Sequence, residues 1–166
     1  MALIIEDGTG VSGATSYATL AQIRAFATAR GVTSVPTVDA DAEVLAIKAM
    51  DYLEGLRGRY QGSKSDAAQA LQFPRYGLYL DGSPVDADTI PAELLNAQCE
   101  LAIAAITTDL APQGDGRVVT KEQVGPLVTE YAGGGSGAPQ PVLPAARRWL
   151  DPLLKNAGQL TTVKRG

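Results

Sequence analysis

Apolar residues along this chain recur mostly at helical spacing. Leu20, Ile23, Phe26 and Ala27 predict a helix over about residues 20–30, with Thr19 as its cap and Gly31 just past its end. Leu45, Ala49, Tyr52, Leu53 and Leu56 form one stripe over about residues 40–56. Glu43, Lys48, Asp51 and Glu54 lie off that stripe, and Asp39 or Asp41 is placed to cap it. Leu94, Leu95, Leu101, Ile103 and Ile106 point to several faces of a third helix, about residues 91–110, which should therefore be the central and most buried one. Pro91 suits its first turn, and Glu93 suits the positive end of its dipole.

Shorter signals fill the rest. Residues 118–120 and 124–131 read as a small hairpin or pair of strands, and residues 76–80 as a brief strand closed by an Asp81-Gly82 turn. The connection 61–88 is long for a compact domain, and Pro74 holds Phe73 extended within it. A fourth, short helix is expected over about 144–154, followed by an extended arm from Lys155 to Gly166. The predicted fold is mainly α: a bundle of about three longer helices with a small β-hairpin and a C-terminal helix plus arm. It divides into residues 1–131, a Gly/Pro-rich linker at 132–143, and residues 144–166.

Composition narrows the chemistry. At 166 residues and 45 % apolar content, the chain fits one folded domain. Aromatics make up only 5 %, so Ala, Leu, Val and Ile must fill the core. The formal charge is −4, with no basic stripe of the kind a duplex-DNA binder uses. The cations gather only in small clusters at Arg57/Arg59, Arg147/Arg148 and Lys164/Arg165. Cys99 is the single cysteine, which excludes an intrachain disulfide and fits a reducing compartment. Histidine is absent, removing the commonest general base and zinc ligand. The N-terminus has no basic region and only a short apolar run, so no signal peptide is expected. Asn96, Gln98, Glu100 and Asp109 interrupt the third helix, which reads as a core helix and not a membrane span.

Several motifs offer chemistry on paper. Gly8-Thr-Gly-Val-Ser-Gly13 matches G-x-G-x-x-G, with Asp39 downstream as a ribose-binding carboxylate. A dinucleotide site needs its helix to begin inside the motif, however, and here the helix begins near Thr19, so a glycine-rich loop is the better reading. Asp86/Asp88 and Asp39/Asp41 are spaced to hold a divalent ion, but an EF-hand needs more ligands, and helix-start electrostatics account for them. Ser12, Ser16, Ser63 and Ser65 have no histidine to activate them, and Ser63-Lys64-Ser65 reads as a solvated turn. Cys99 reads as a buried, inert thiol. No residue is assigned a catalytic, cofactor-binding or metal-binding role, and no enzyme activity is expected.

Arg57, Arg59, Tyr60, Arg75, Tyr76 and Tyr79 interleave bases with aromatics, as a single-strand platform requires. Against that, Arg57 and Arg59 close a helix, where cations suit the dipole. Trp149 either packs back on its own domain or, with Arg147 and Arg148 beside it, docks on a partner.

The order of segments carries a resemblance. Gly13-Ala-Thr-Ser-Tyr17, Ala49-Met-Asp-Tyr-Leu53, Gln69-Ala-Leu-Gln-Phe-Pro-Arg75, Asp81-Gly82, Asp88-Thr-Ile-Pro91, Val124-Gly-Pro-Leu127 and the closing Arg165-Gly166 succeed one another along most of the chain. In that order the chain resembles the head-to-tail adaptor (connector) proteins of tailed bacteriophages, and especially the subgroup labelled putative DnaT-like single-strand-binding protein. Phe73 stands where tryptophan is expected before Pro-Arg, with an aromatic retained.

The resemblance implies a structural virion protein at the head–tail interface, assembled in the host bacterial cytoplasm. It would form a cyclic ring, dodecameric by type, beneath the portal, linked to a tail or stopper protein, with duplex DNA passing through unbound by sequence. Trp149, Leu150, Leu153, Leu154, Leu160, Val163, Lys164 and Arg165 would then contact the portal or a neighbour. Phe73, Arg75, Tyr76, Tyr79 and Asp81 would form a ring-contact loop. The competing expectation is a single-stranded-DNA-binding protein of phage replication.

Overall fold

The computed structural model describes residues 2–111, 119–123, 128–131 and 143–155, the two middle segments as backbone only. Four helices dominate: α1 (Leu20–Thr28), α2 (Asp39–Gly55), α3 (Ala92–Ala104) and α4 (Pro144–Leu150), the last continued by a 3-10 turn, Asp151–Leu153. Three two-stranded antiparallel pairs accompany them: β1 (Ser63–Lys64) with β2 (Arg75–Tyr76), β3 (Tyr79–Leu80) with β4 (Ser83–Pro84), and β5 (Val119–Gln123) with β6 (Val128–Tyr131). The fold is mainly α with a small β-hairpin and a C-terminal helix, as the apolar pattern predicts.

The helix ends follow local chemistry. Thr19 and Gln22 make a reciprocal capping box: the Gln22 amide donates to Thr19 Oγ1 at 3.2 Å, and the Thr19 amide donates to Gln22 Oε1 at 2.8 Å. Gly31, at φ 71°, takes the left-handed position that ends the following turn. The start of α2 differs from expectation. Val38 is its N-cap with no side-chain bond, and Asp39 instead forms a 2.8 Å ion pair with Arg24. The strand boundaries in the hairpin differ too, since β5 runs on to Gln123 and β6 starts at Val128. Gly125-Pro126 is the turn punctuation that separates them in the sequence.

α3 is the centre, packed by α1, α2 and α4. Leu94, Ala97 and Leu101 are fully buried along it. One polar side chain inside this core organises the chain entry. Gln98 Oε1 accepts the Tyr17 and Ala18 amides at 3.0 and 2.8 Å, and its Nε2 donates to Ser16 Oγ at 2.7 Å. A buried amide with donor and acceptor both matched fixes a unique register. α4 packs on α3, and Ala146, Leu150, Leu153 and Leu154 join the same core, with Trp149 half-buried against it. Among the described residues, no helix is long and apolar enough to cross a membrane.

Candidate nucleic-acid interface

The segment between α2 and α3 is nailed to the core by polar and aromatic contacts. Phe73 is fully buried between Tyr17 and Tyr60, edge-to-face at centroid distances of 6.2 and 5.0 Å, and the Phe73–Pro74 peptide is cis. The Phe73 amide donates to Tyr17 Oη at 2.9 Å, and Tyr60 Oη donates to the Leu53 carbonyl at 3.0 Å. Burial raises both phenols well above the usual tyrosine range. Glu54 takes the Gln72 amide and side chain, each at 3.0 Å.

Arg75 is the keystone of this loop and is itself only 5 % exposed. Its guanidinium donates to the carbonyls of Gln61 (2.6 Å), Gly62 (2.8 Å) and Gln72 (3.1 Å). Burial lowers its pKa from the ordinary arginine value, with the Tyr60 and Tyr17 phenols and Glu54 opposing that shift. The three carbonyls are met by three different nitrogens, Nε, Nη1 and Nη2, spread across a planar fork that a single, shorter-reaching ammonium nitrogen does not reproduce. Gly62, at φ 62°, lies so close to the Tyr76 carbonyl that a Cβ there would stand 2.0 Å from its oxygen.

This bracing leaves a distinct outer face. Tyr76 and Tyr79 are 70 % and 55 % exposed, and no other aromatic side chain among the described residues is exposed. Tyr79 opens β3, whose turn is Asp81-Gly82 with both residues at positive φ (50° and 80°), the two-residue hairpin turn that Asp-Gly favours. Gln61 stitches Tyr79 to the 3-10 turn Asp151–Leu153. Its side chain donates to the Tyr79 and Pro152 carbonyls and accepts the Tyr79 amide. Beside it, the Lys155 amide donates to the Arg59 carbonyl at 2.8 Å, and Tyr60 bridges Leu154. Arg59 and Lys155 are thus held together next to Gln61, which holds Tyr79; both, like Arg57 at the end of α2, are exposed, with no ion pair on any of them among the described residues.

The six residues of the sequence pattern therefore split. Tyr60 and Arg75 form the interior bracing, while Arg57, Arg59, Tyr76 and Tyr79 are exposed. Lys155 is added by the fold alone; its place in the sequence, far from Arg59, carries no signal. The residues expected to contact a portal or neighbour fare differently. Leu150, Leu153 and Leu154 are buried in the domain's own core, and Trp149 packs against it. Leu160, Val163, Lys164 and Arg165 lie outside the described residues. In the expected ring-contact loop, Phe73 and Arg75 are buried, and Tyr76, Tyr79 and Asp81 are exposed.

The other motifs resolve into structure. Glu6 Oε1 accepts the Gly8 and Gly10 amides, both at 2.9 Å, so a buried carboxylate occupies the place a pyrophosphate would need. α1 begins only at Leu20, well beyond the motif. Asp86 and Asp88 are exposed and precede the first turn of α3, where Glu93 is the acidic residue; helix-start electrostatics do not account for them. Lys64 Nζ donates to the Gln69 carbonyl at 3.1 Å, and Ser65 Oγ to the Ala87 carbonyl, so both serve the loop. Cys99 is buried, and its thiol is pushed up to about 12, chiefly by desolvation.

The domain is mainly α, with a braced loop that leaves two tyrosines exposed. The family model described as "Putative DnaT-like ssDNA binding protein" matches residues 1–166, and the chain belongs to that family. No curated protein and no solved structure matches it. The family assignment overturns the adaptor reading. The family is described by single-strand binding, so a virion connector ring, portal and tail or stopper partners, and duplex DNA threaded through a channel have no support. The segments that carried the resemblance are, in large part, the aromatic bracing and core of this fold, a scaffold that does not itself specify a phage neck.

Proposed function

We propose that this chain is a non-catalytic single-stranded-DNA-binding protein whose contact surface is Tyr76 and Tyr79, flanked by Arg57, Arg59 and Lys155. The observation that carries the reading is the exposure of those two tyrosines on a loop braced from within by Phe73 and Arg75. Each exposed phenol ring offers a π-face on which any base can stack. The cations then meet phosphates without first breaking an ion pair. The family's description supports the same ligand. The overall charge of −4 fits a site that relies on stacking more than on charge, and disfavours a stiff, highly charged duplex. By this reading the protein works in a bacterial cytoplasm, where the single cysteine stays a free thiol.

Fluorescence anisotropy with labelled oligo(dT) tests it. Tyr76→Ala and Tyr79→Ala should each weaken binding by about 5- to 160-fold, from roughly 1–3 kcal/mol per stacked base. Equal affinity for a duplex of the same length, or full affinity in the double variant, would remove the proposal.

A further inference from the structure

A second cluster of cations lies where α1, α3 and α4 meet. Arg30, just past α1, and Arg148 on α4 converge on one oxygen of one carboxylate. Arg30 Nε stands 3.6 Å and Arg148 Nη2 3.0 Å from Glu100 Oε1 on α3. Two guanidiniums share a single negative charge, so the cluster keeps a net positive charge on a chain that is acidic overall. Both forks are oriented by rings. Arg30 lies 3.3 Å from the Phe26 centroid and Arg148 5.2 Å from that of Trp149. Arg148 has a 58 % exposed side chain, and among the described residues its guanidinium donates only to Glu100, so most of its donors face solvent. The neighbouring Arg147 is balanced by Asp151 at 3.3 Å and adds no net charge.

We propose that Arg148 and Arg30 form a second phosphate subsite, in which a backbone phosphate of single-stranded DNA displaces Glu100 as the shared anion. This rests on the single-strand reading of the tyrosine face. A planar guanidinium already held against a ring loses little freedom when it meets a phosphate in a bidentate fork. The end of α4 and its 3-10 turn join the two regions, since Arg148 lies on α4 and Lys155, just past the turn, is bonded to Arg59. At about 1.5–2 Å per residue, that segment spans roughly 10–14 Å, a distance one strand covers in a few nucleotides. Glu100 then acts as a built-in competitor: removing its charge frees the forks.

The test is anisotropy with a labelled oligo(dT) on the full chain, comparing wild type with Glu100→Gln, Arg148→Ala, Arg148→Lys and the Tyr76→Ala/Tyr79→Ala pair, each checked for folding by thermal melting. The inference expects Glu100→Gln to tighten binding about 3- to 10-fold. It expects Arg148→Ala to weaken binding by a similar factor and to flatten the log-affinity against log-salt slope by about 0.7. Arg148→Lys should recover the slope but only part of the affinity. Trp149, the single tryptophan, should change emission on DNA addition in wild type and not in Arg148→Ala. If Glu100→Gln leaves affinity unchanged or weakens it while the tyrosine variants lose binding, the second subsite is overturned and the tyrosine face stands. If wild type binds no oligonucleotide, both are overturned. Should Arg148→Ala fail to fold, Glu100→Gln and Arg148→Lys decide the question.

Discussion

Replacing Arg75 separates bracing from contact, because this residue holds the tyrosine loop without being exposed. Arg75→Met keeps the apolar stem and deletes the fork. Three carbonyls, those of Gln61, Gly62 and Gln72, then lose donors at 2.6, 2.8 and 3.1 Å. A hydrogen bond to a charged donor contributes about 1.5–3 kcal/mol net, and a buried acceptor left alone costs about 1–3 kcal/mol. Part of that loss is offset because the variant no longer has to desolvate a guanidinium. The balance is a destabilisation of about 3 kcal/mol. For a chain of this size that lowers Tm by about 6–12 °C. Arg75→Lys should recover no more than about a third of the loss, since one ammonium cannot reach three converging carbonyls. Urea denaturation followed by circular dichroism measures the first quantity, and oligo(dT) anisotropy on the folded fraction measures the consequence for the loop. Arg75→Lys as stable as wild type, or Arg75→Met costing under about 1 kcal/mol, would show that the loop is held some other way.

Other outcomes follow from the same geometry. Gln98→Leu strands the Tyr17 and Ala18 amides and the Ser16 hydroxyl inside the core and should cost about 3 kcal/mol, measured by urea denaturation; an isosteric apolar residue tolerated without loss would contradict the role of that network. Gly8→Ala should cost roughly 2–3 kcal/mol, because its Cβ would stand 1.8 Å from the Asp88 carbonyl oxygen at φ 108°, whereas Gly31→Ala, at φ 71° in open space, should cost about half as much. Thermal melts of the two variants side by side check that order. Cys99 has its folded pKa raised from 9.0 to about 12, so its neutral thiol stabilises the fold fully below pH 9 and that contribution is lost as pH rises from 9 towards 12. Buried Tyr17 and Tyr60 act in the same direction. Urea midpoints should therefore fall above pH 9, and Ellman's reagent at pH 8 should label Cys99 only as fast as the protein opens.

The helices were legible because their apolar stripes and ends agree. Thr19, boxed with Gln22, and Gly31 sit where the local chemistry requires them, whereas Pro91, expected in the first turn of α3, is its extended N-cap. Val38 capping α2 was hidden, because Asp39 pairs with Arg24 across a loop, and no local rule reports a tertiary partner. The candidate face was visible as a list, Arg57 to Tyr79, but not as a surface. Composition cannot tell that Tyr60 and Arg75 turn inward, since that depends on Phe73, Gln72 and Gln61 meeting them in space. Lys155 was invisible for the same reason. The C-terminal leucines misled in the opposite sense. A short amphipathic helix beyond a Gly-rich stretch suggests an arm seeking a partner, yet Leu150 and Leu153 find theirs on α3.

The most direct test of the central claim is a salt series of oligo(dT) binding by wild type and the Tyr76→Ala/Tyr79→Ala variant. The three cations at the tyrosine face contribute about −2 to the log–log slope, so binding weakens at least roughly 15-fold from 50 to 200 mM salt. Stacking predicts that the double variant binds at least about 25-fold more weakly with its slope unchanged. A double variant with wild-type affinity, or a loss carried entirely by the slope, would contradict a binding face built on exposed tyrosines.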